Sequence, residues 1–208
     1  MEKLTIKEYI ENISSNSPTP GGGNVSAFCG SLATSLAVMV TNLTIGKKKY
    51  SDVQDEIISL KTNIEHYINK FLDLAQKDNE AFNLVMSAFS LPKDSDSEKE
   101  FRKQKIEEAT IVAAKVPQDV IINAYNLVDN FIKISEIGNQ NSLSDIGVAL
   151  LLLKTAAQGA YLNVLINISS LSDKNFAQSF INEINPIFNN LLNKIDNAYS
   201  QILSKLNV

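Results

Sequence analysis

Two stretches of this chain are long, apolar and almost without charge. Val25 to Ile45 has no charged side chain, and Ile146 to Ser172 has only Lys154. As helices, both are long enough to cross a bilayer. Both nevertheless place Ser, Thr, Asn or Gln on several faces, whereas an isolated membrane span is more uniformly apolar. This pattern suits a helix enclosed by other helices or by a second copy of the chain. Small residues favour the same reading, because Ser26, Gly30, Ala33, Ala37 and Thr41 on one stretch let helix axes approach closely, as do Gly147, Ala156, Gly159, Ala160 and Asn163 on the other. Two helices needing cover on every side exceed what one subunit readily supplies. A homodimer with no membrane span is therefore expected.

The remaining segments also read as helices. Thr5 and Glu8 have the spacing of a capping box and start a short first helix. Pro18, Pro20 and Gly21 to Gly23 end that region, and a second helix is expected from about Asn24 to about Thr44. Ser51 and Asp52 open a third, whose apolar stripe runs from Val53 through Phe71 to Phe89. Another runs from Ser97 to about Val116, is interrupted at Pro117 and resumes to about Ile137. Ser144 and Asp145 open the next, to about Leu171, and a last amphipathic stretch is bent at Pro186. No segment shows sustained two-residue alternation, and hairpin turn pairs are absent. These features predict a single all-α domain over residues 1–208, an antiparallel up-and-down bundle of long helices.

Composition narrows the function. At 44% hydrophobic and 20% charged, the chain is of globular type. A net charge of -4 with scattered lysines offers no field for a polynucleotide, so nucleic acid is not an expected partner. The lone Cys29 and lone His66 provide neither a disulfide nor a metal cage, so no metal is expected, and the cytoplasm is the expected compartment. The charged, amphipathic start MEKLTIKEYIEN is unlike a signal peptide.

Three places could do chemistry. Asp78 falls on the apolar stripe of the third helix, where a carboxylate must be paired, protonated or beside a wet cavity. Its bland explanation is an ion pair with Lys154. GNQNSLSD, Gly138 to Asp145, is accounted for by helix capping, yet it also offers amides and a carboxylate at one helix end. The loop from Gly21 to Gly23 with Asn24 permits close backbone approach at a helix N-terminus, although it lacks phosphate-loop spacing. Lys47 to Lys49, at the far end of that helix, suit its negative dipole.

Taken together, SPTPGGGNVSA, LTIGKKKY, DNEAFNLVMSAFSLP, AAKVP, GNQNSLSD and GAYLNVLINI resemble the cyclodeaminase/cyclohydrolase family, in order and over nearly the whole chain. The resemblance implies an all-helical dimer with folate sites near the subunit contact and no redox cofactor or metal. It implies chemistry at the carbon between N5 and N10 of tetrahydrofolate: cyclodeamination of 5-formiminotetrahydrofolate, or hydrolysis of the 5,10-methenyl form. Under it, Asp78 and Asp145 are the expected proton-handling acids. Asn139 and Asn141 are expected to read the pterin edge, Gly21, Gly22, Gly23 and Asn24 to allow close ligand approach, and Lys47 to meet the glutamate tail. The cyclodeaminase is expected ahead of the cyclohydrolase on prevalence in the family. The alternative of another class is a helical binding or scaffold dimer without catalysis, in which Asp78 would be locked to Lys154 with no cavity beside it.

Overall fold

The first helix forms where its cap says it should. The Glu8 N–H donates to the Thr5 hydroxyl oxygen (3.2 Å), and the Thr5 N–H donates back to the Glu8 carboxylate (2.7 Å), which closes the box and starts α1, Ile6–Ile13. In the computed structural model, which describes residues 4–206, every regular element is helical. The first three residues of the charged N-terminal stretch lie outside the described residues. After the Pro/Gly loop come α2 (Gly22–Thr44), a 3-10 turn (Lys48–Val53), α3 (Gln54–Glu65), α4 (Tyr67–Phe89), α5 (Asp96–Ile137), a second 3-10 turn (Gln140–Ser142), α6 (Leu143–Ser169) and α7 (Lys174–Leu206).

Two boundaries differ from expectation. The third helix divides at His66, which keeps nearly helical angles (φ -68°, ψ -20°), so the apolar stripe continues across the junction and hides it from periodicity. Ser51 and Asp52 lie inside the preceding 3-10 turn rather than capping a helix. Conversely, α5 runs unbroken through Pro117, and α7 through Pro186. Proline has no N–H for the carbonyl four residues back. Here that carbonyl, on Ala113, accepts instead from the Asn167 side-chain amide of α6 (2.9 Å), so the missing bond is replaced from outside the helix.

α2 lies at the centre, antiparallel to α4 on one side and to α6 on another. The Ser31 hydroxyl donates to the Ile68 carbonyl (3.0 Å) and the Asn24 amide to the Ala75 carbonyl (2.6 Å), which fixes the first pairing. The expected close approach of small residues is present: a Cβ on Gly159 of α6 would fall 2.2 Å from the Ser26 hydroxyl oxygen, and one on Gly30 would fall 2.6 Å from the Phe71 ring. Phe71 is fully buried in that notch. Burial of a side chain of this size contributes about 1.5–3 kcal/mol. Across the bundle, Phe131, Ile121, Leu127, Leu150 and Leu153 continue the core, and α7 closes it against α5 and α6.

The cover is incomplete. α2 and the segment Gln140–Ser169 are long and apolar enough to cross a membrane, but only 56% and 39% of their most apolar windows are buried within the subunit. The remainder includes Leu32, Met39 and Leu43 on α2, with Val148, Leu151, Leu162, Leu165 and Ile166 on its neighbour α6.

Candidate active site

The N-cap position of α2 is Gly21, which has no side chain with which to cap the helix. The first N–H groups of a helix need an acceptor, and Asp78 of α4 supplies one: its carboxylate accepts from the backbone N–H of Asn24. The contact is so close that a Cβ on Gly23 would lie 2.1 Å from Asp78 Oδ1, so any side chain there would have to displace the carboxylate. Asn24 is itself held firmly. Its Oδ1 accepts from the Tyr9 hydroxyl (2.7 Å) and its Nδ2 donates to the Ala75 carbonyl, so α1, α2 and α4 meet at this residue.

Electrostatics at this junction are governed by shelter from water. Burial pushes the Asp78 carboxyl above the ordinary carboxylate range, against the stabilising hydrogen bond from Asn24. The Tyr9 hydroxyl is pushed up to about 12 by burial, with the Cys29 thiol and Asp78 adding to the shift. Burial also raises Cys29, which keeps the thiol protonated and unreactive.

Asp78 is not locked to Lys154. That lysine pairs with Asp196 and ties α6 to α7. Asp78 instead borders a cavity of about 320 Å³, also lined by Pro18, Thr19, Gly21 to Gly23, Phe82, Val85, Ala113, Asn163, Ile166 and Asn167. This volume is near the lower end of small-molecule sites and has room for a ligand's ring head. The glycine loop, Asn24 and Asp78 are therefore brought together at one junction.

The other expected residues are elsewhere. Asp145 lies about 27 Å along α6 from Asn163, at 1.5 Å per residue. Within one subunit the two aspartates are therefore too far apart to act on one carbon. Asn139 sits at the far end of α2, where its N–H donates to the Thr44 hydroxyl (2.9 Å) and its Nδ2 to the Leu43 carbonyl (3.0 Å). Its Oδ1 accepts from the Tyr50 hydroxyl and from the Asn141 N–H. That amide fastens the α5–α6 turn to α2. Asn141 and Lys47 are exposed, and the half-buried Asp145 carboxylate has no hydrogen-bond or ion-pair partner among the described residues. No group of three or more His, Cys, Asp or Glu side chains that could hold a metal occurs among the described residues.

The sequence reading took Asn163 only as a packing residue and marked neither Asn167 nor Tyr9 as part of a site. The asparagines carried a signal: two amides four residues apart in an otherwise nearly uncharged helix share one face. Asn79 was also unmarked. Next to Asp78 in sequence, it has an Oδ1 that is buried with no hydrogen bond among the described residues, and an orphan of this kind is uncommon in folded proteins.

Comparison with known proteins gives these features a lineage. A sequence profile described as Formiminotransferase-cyclodeaminase matches residues 5–186. The methenyltetrahydrofolate cyclohydrolase of Methylorubrum extorquens is 35% identical over 203 residues, 98% of this chain and 98% of that one. The formimidoyltransferase-cyclodeaminase of Gallus gallus is 27% identical over 168 residues, which cover 81% of this chain but 31% of that larger protein. Among solved structures, the formiminotetrahydrofolate cyclodeaminase of Thermotoga maritima superposes with a TM-score of 0.80 at 35% identity, covering 97% of this chain and 94% of the other. Similarity of this extent, over the whole helical unit and including the glycine loop, establishes that the chain belongs to the formiminotransferase-cyclodeaminase family of enzymes.

Proposed function

We propose that this chain is a methenyltetrahydrofolate cyclohydrolase, working as a homodimer. The observation that carries the reading is the match at 35% identity to a free-standing cyclohydrolase, end to end in both chains. This reverses the expected order of the two activities, which rested on prevalence in the family alone. The structural likeness to a cyclodeaminase keeps the second activity as the alternative, at equal identity.

The site chemistry suits hydration of an amidinium carbon. Water attacks the carbon between N5 and N10 and passes a proton to the Asp78 carboxylate, which gives a neutral tetrahedral carbinolamine. As the bond from that carbon to N5 breaks, N5 takes the proton back from Asp78, the carbinolamine hydroxyl loses its own proton to solvent, and 10-formyltetrahydrofolate forms. One proton is released overall. A carboxyl raised by burial is suited to both halves of this exchange, because its proton affinity lies closer to neutrality than that of a solvated acid. Its negative charge also favours a cationic substrate.

The dimer accounts for the separated motifs. Two copies paired about a twofold axis through the apolar residues of α2 and α6 would set the Asp78 end of one subunit beside the Asp145 end of the other. Ile166 supports this arrangement, since it lines the cavity and is also 69% exposed, which places the cavity mouth at the edge of the uncovered surface. A noncatalytic scaffold is less well supported, because Asp78 has a cavity beside it and Lys154 is engaged elsewhere.

The test is to supply 5,10-methenyltetrahydrofolate and 5-formiminotetrahydrofolate separately. Enzyme-dependent loss of methenyl absorbance is expected from the first. Appearance of that absorbance with ammonia from the second, and no acceleration of the first, would assign the cyclodeaminase instead.

A further inference from the structure

The cavity has two walls. Adjacent glycines on the first turn of α2 face them: Gly23 meets Asp78 of α4, while a Cβ on Gly22 would have Asn163 Nδ2 of α6 as its nearest neighbour, at 3.6 Å. The α6 wall carries Asn163 and Asn167. Each amide nitrogen donates to a main-chain carbonyl, Asn163 to Gly159 (2.8 Å) and Asn167 to Ala113 (2.9 Å). A carbonyl can only accept, so chemistry fixes which end of each amide faces it. The oxygens remain, and neither has a partner among the described residues.

The Ala113 carbonyl is available to Asn167 for one reason. In an unbroken helix it would accept the N–H of residue 117, which is proline. Pro117 thus frees a carbonyl, the carbonyl clamps the Asn167 nitrogen, and the clamp turns the Asn167 oxygen into a fixed acceptor on a residue lining the cavity. Apart from the Thr19 hydroxyl, the polar side chains of the cavity are Asp78 and these two amides, and no cationic side chain lines it.

We infer that Asn163 and Asn167 are substrate-binding residues that accept hydrogen bonds from the donor edge of the pterin ring, its N3–H and 2-amino group, and that Pro117 is a positioning residue acting through Asn167. This rests on the folate reading above. It leaves Asp78, on the opposite wall, free for the reacting carbon.

The experiment compares wild type, Pro117→Ala, Asn167→Ala and the double variant, with 5,10-methenyltetrahydrofolate and its 2-desamino-2-methyl counterpart as substrates. Pro117→Ala restores an N–H that competes for the Ala113 carbonyl. Because proline is the poorest residue in a helix interior, this variant should melt no lower than wild type. A rise in KM would then not reflect damage to the fold. We expect KM to rise by about five- to tenfold in either single variant, the loss of roughly one hydrogen bond, with kcat within about twofold. The double variant should be no worse than Asn167→Ala, since both changes act on one amide. Wild type should prefer the amino-bearing substrate, and Asn167→Ala should lose much of that preference.

Unchanged KM in both single variants, or additive effects in the double, overturns the inference while wild-type turnover leaves the folate reading standing. Undiminished preference in Asn167→Ala also overturns it. A wild-type chain that turns over neither folate overturns both.

Discussion

Gly23 and Asp78 are in direct contact: the space where a Cβ of residue 23 would sit is already filled by the Asp78 carboxylate, with Oδ1 at 2.1 Å and Oδ2 at 2.9 Å. The glycine is needed for this close approach, and through it the α2 N-terminus and the α4 acid become one unit. Gly23→Ala should displace the carboxylate and reduce turnover by about tenfold to a hundredfold, with a stability loss of about 1–3 kcal/mol from overpacking. Gly22→Ala is the comparison, because its Cβ would meet ordinary contact distance at 3.6 Å and the melting temperature should hold. Equal melting temperatures for the two variants would contradict the contact.

Asp78 should make the fold weaker as pH rises. Its folded-state pKa is raised by burial, so between the unfolded and folded values the native state binds more protons, and stability falls across that window. Above the folded value the penalty is fully present. Asp78→Asn keeps an acceptor for the Asn24 N–H without the charge, so thermal unfolding should show it more stable than wild type at neutral pH. The gain should shrink as pH falls below the carboxylate range. A variant less stable than wild type at neutral pH would mean that the carboxylate serves the fold as a helix cap more than it strains it.

The uncovered apolar residues of α2 and α6 predict self-association. Leu32 is 42% and Leu151 39% exposed within the subunit, so a charge at either site spares the monomer core. Sedimentation should give a dimer for wild type and a folded monomer for Leu32→Glu with Leu151→Glu. If the Asp145 end of the partner subunit completes the site, the monomer should also lose turnover. A wild-type monomer, or a fully active monomeric variant, would refute the shared site.

Much of the fold could be read from local chemistry. The Thr5–Glu8 box formed as its spacing required, and the small residues of α2 and α6 meet where close packing needs them. Pro117 misled because the bond that lets α5 continue comes from Asn167, on another helix and far along the chain. No local pattern contains that information. The division at His66 was hidden by near-helical dihedral angles.

For the site, Asp78 stood out as an acid on an apolar stripe, and the structure places it beside a cavity. The alternative pairing with Lys154 falls only in three dimensions, where Asp196 of the last helix takes the lysine. Lys47 and Asn139, expected like Gly21 to Gly23 to meet the ligand, are separated from that loop by helix length alone. Those residues belong to opposite ends of α2, about 33 Å apart at 1.5 Å per residue, so one subunit could never have joined them.

The most direct measurement is the decay of methenyl absorbance under saturating 5,10-methenyltetrahydrofolate with wild type and Asp78→Asn, alongside folate binding by each. The enzyme-dependent rate should fall by about a hundredfold or more in the variant, with folate affinity held within about tenfold. An Asp78→Asn enzyme that opens the ring at the wild-type rate would remove this carboxylate from the chemistry.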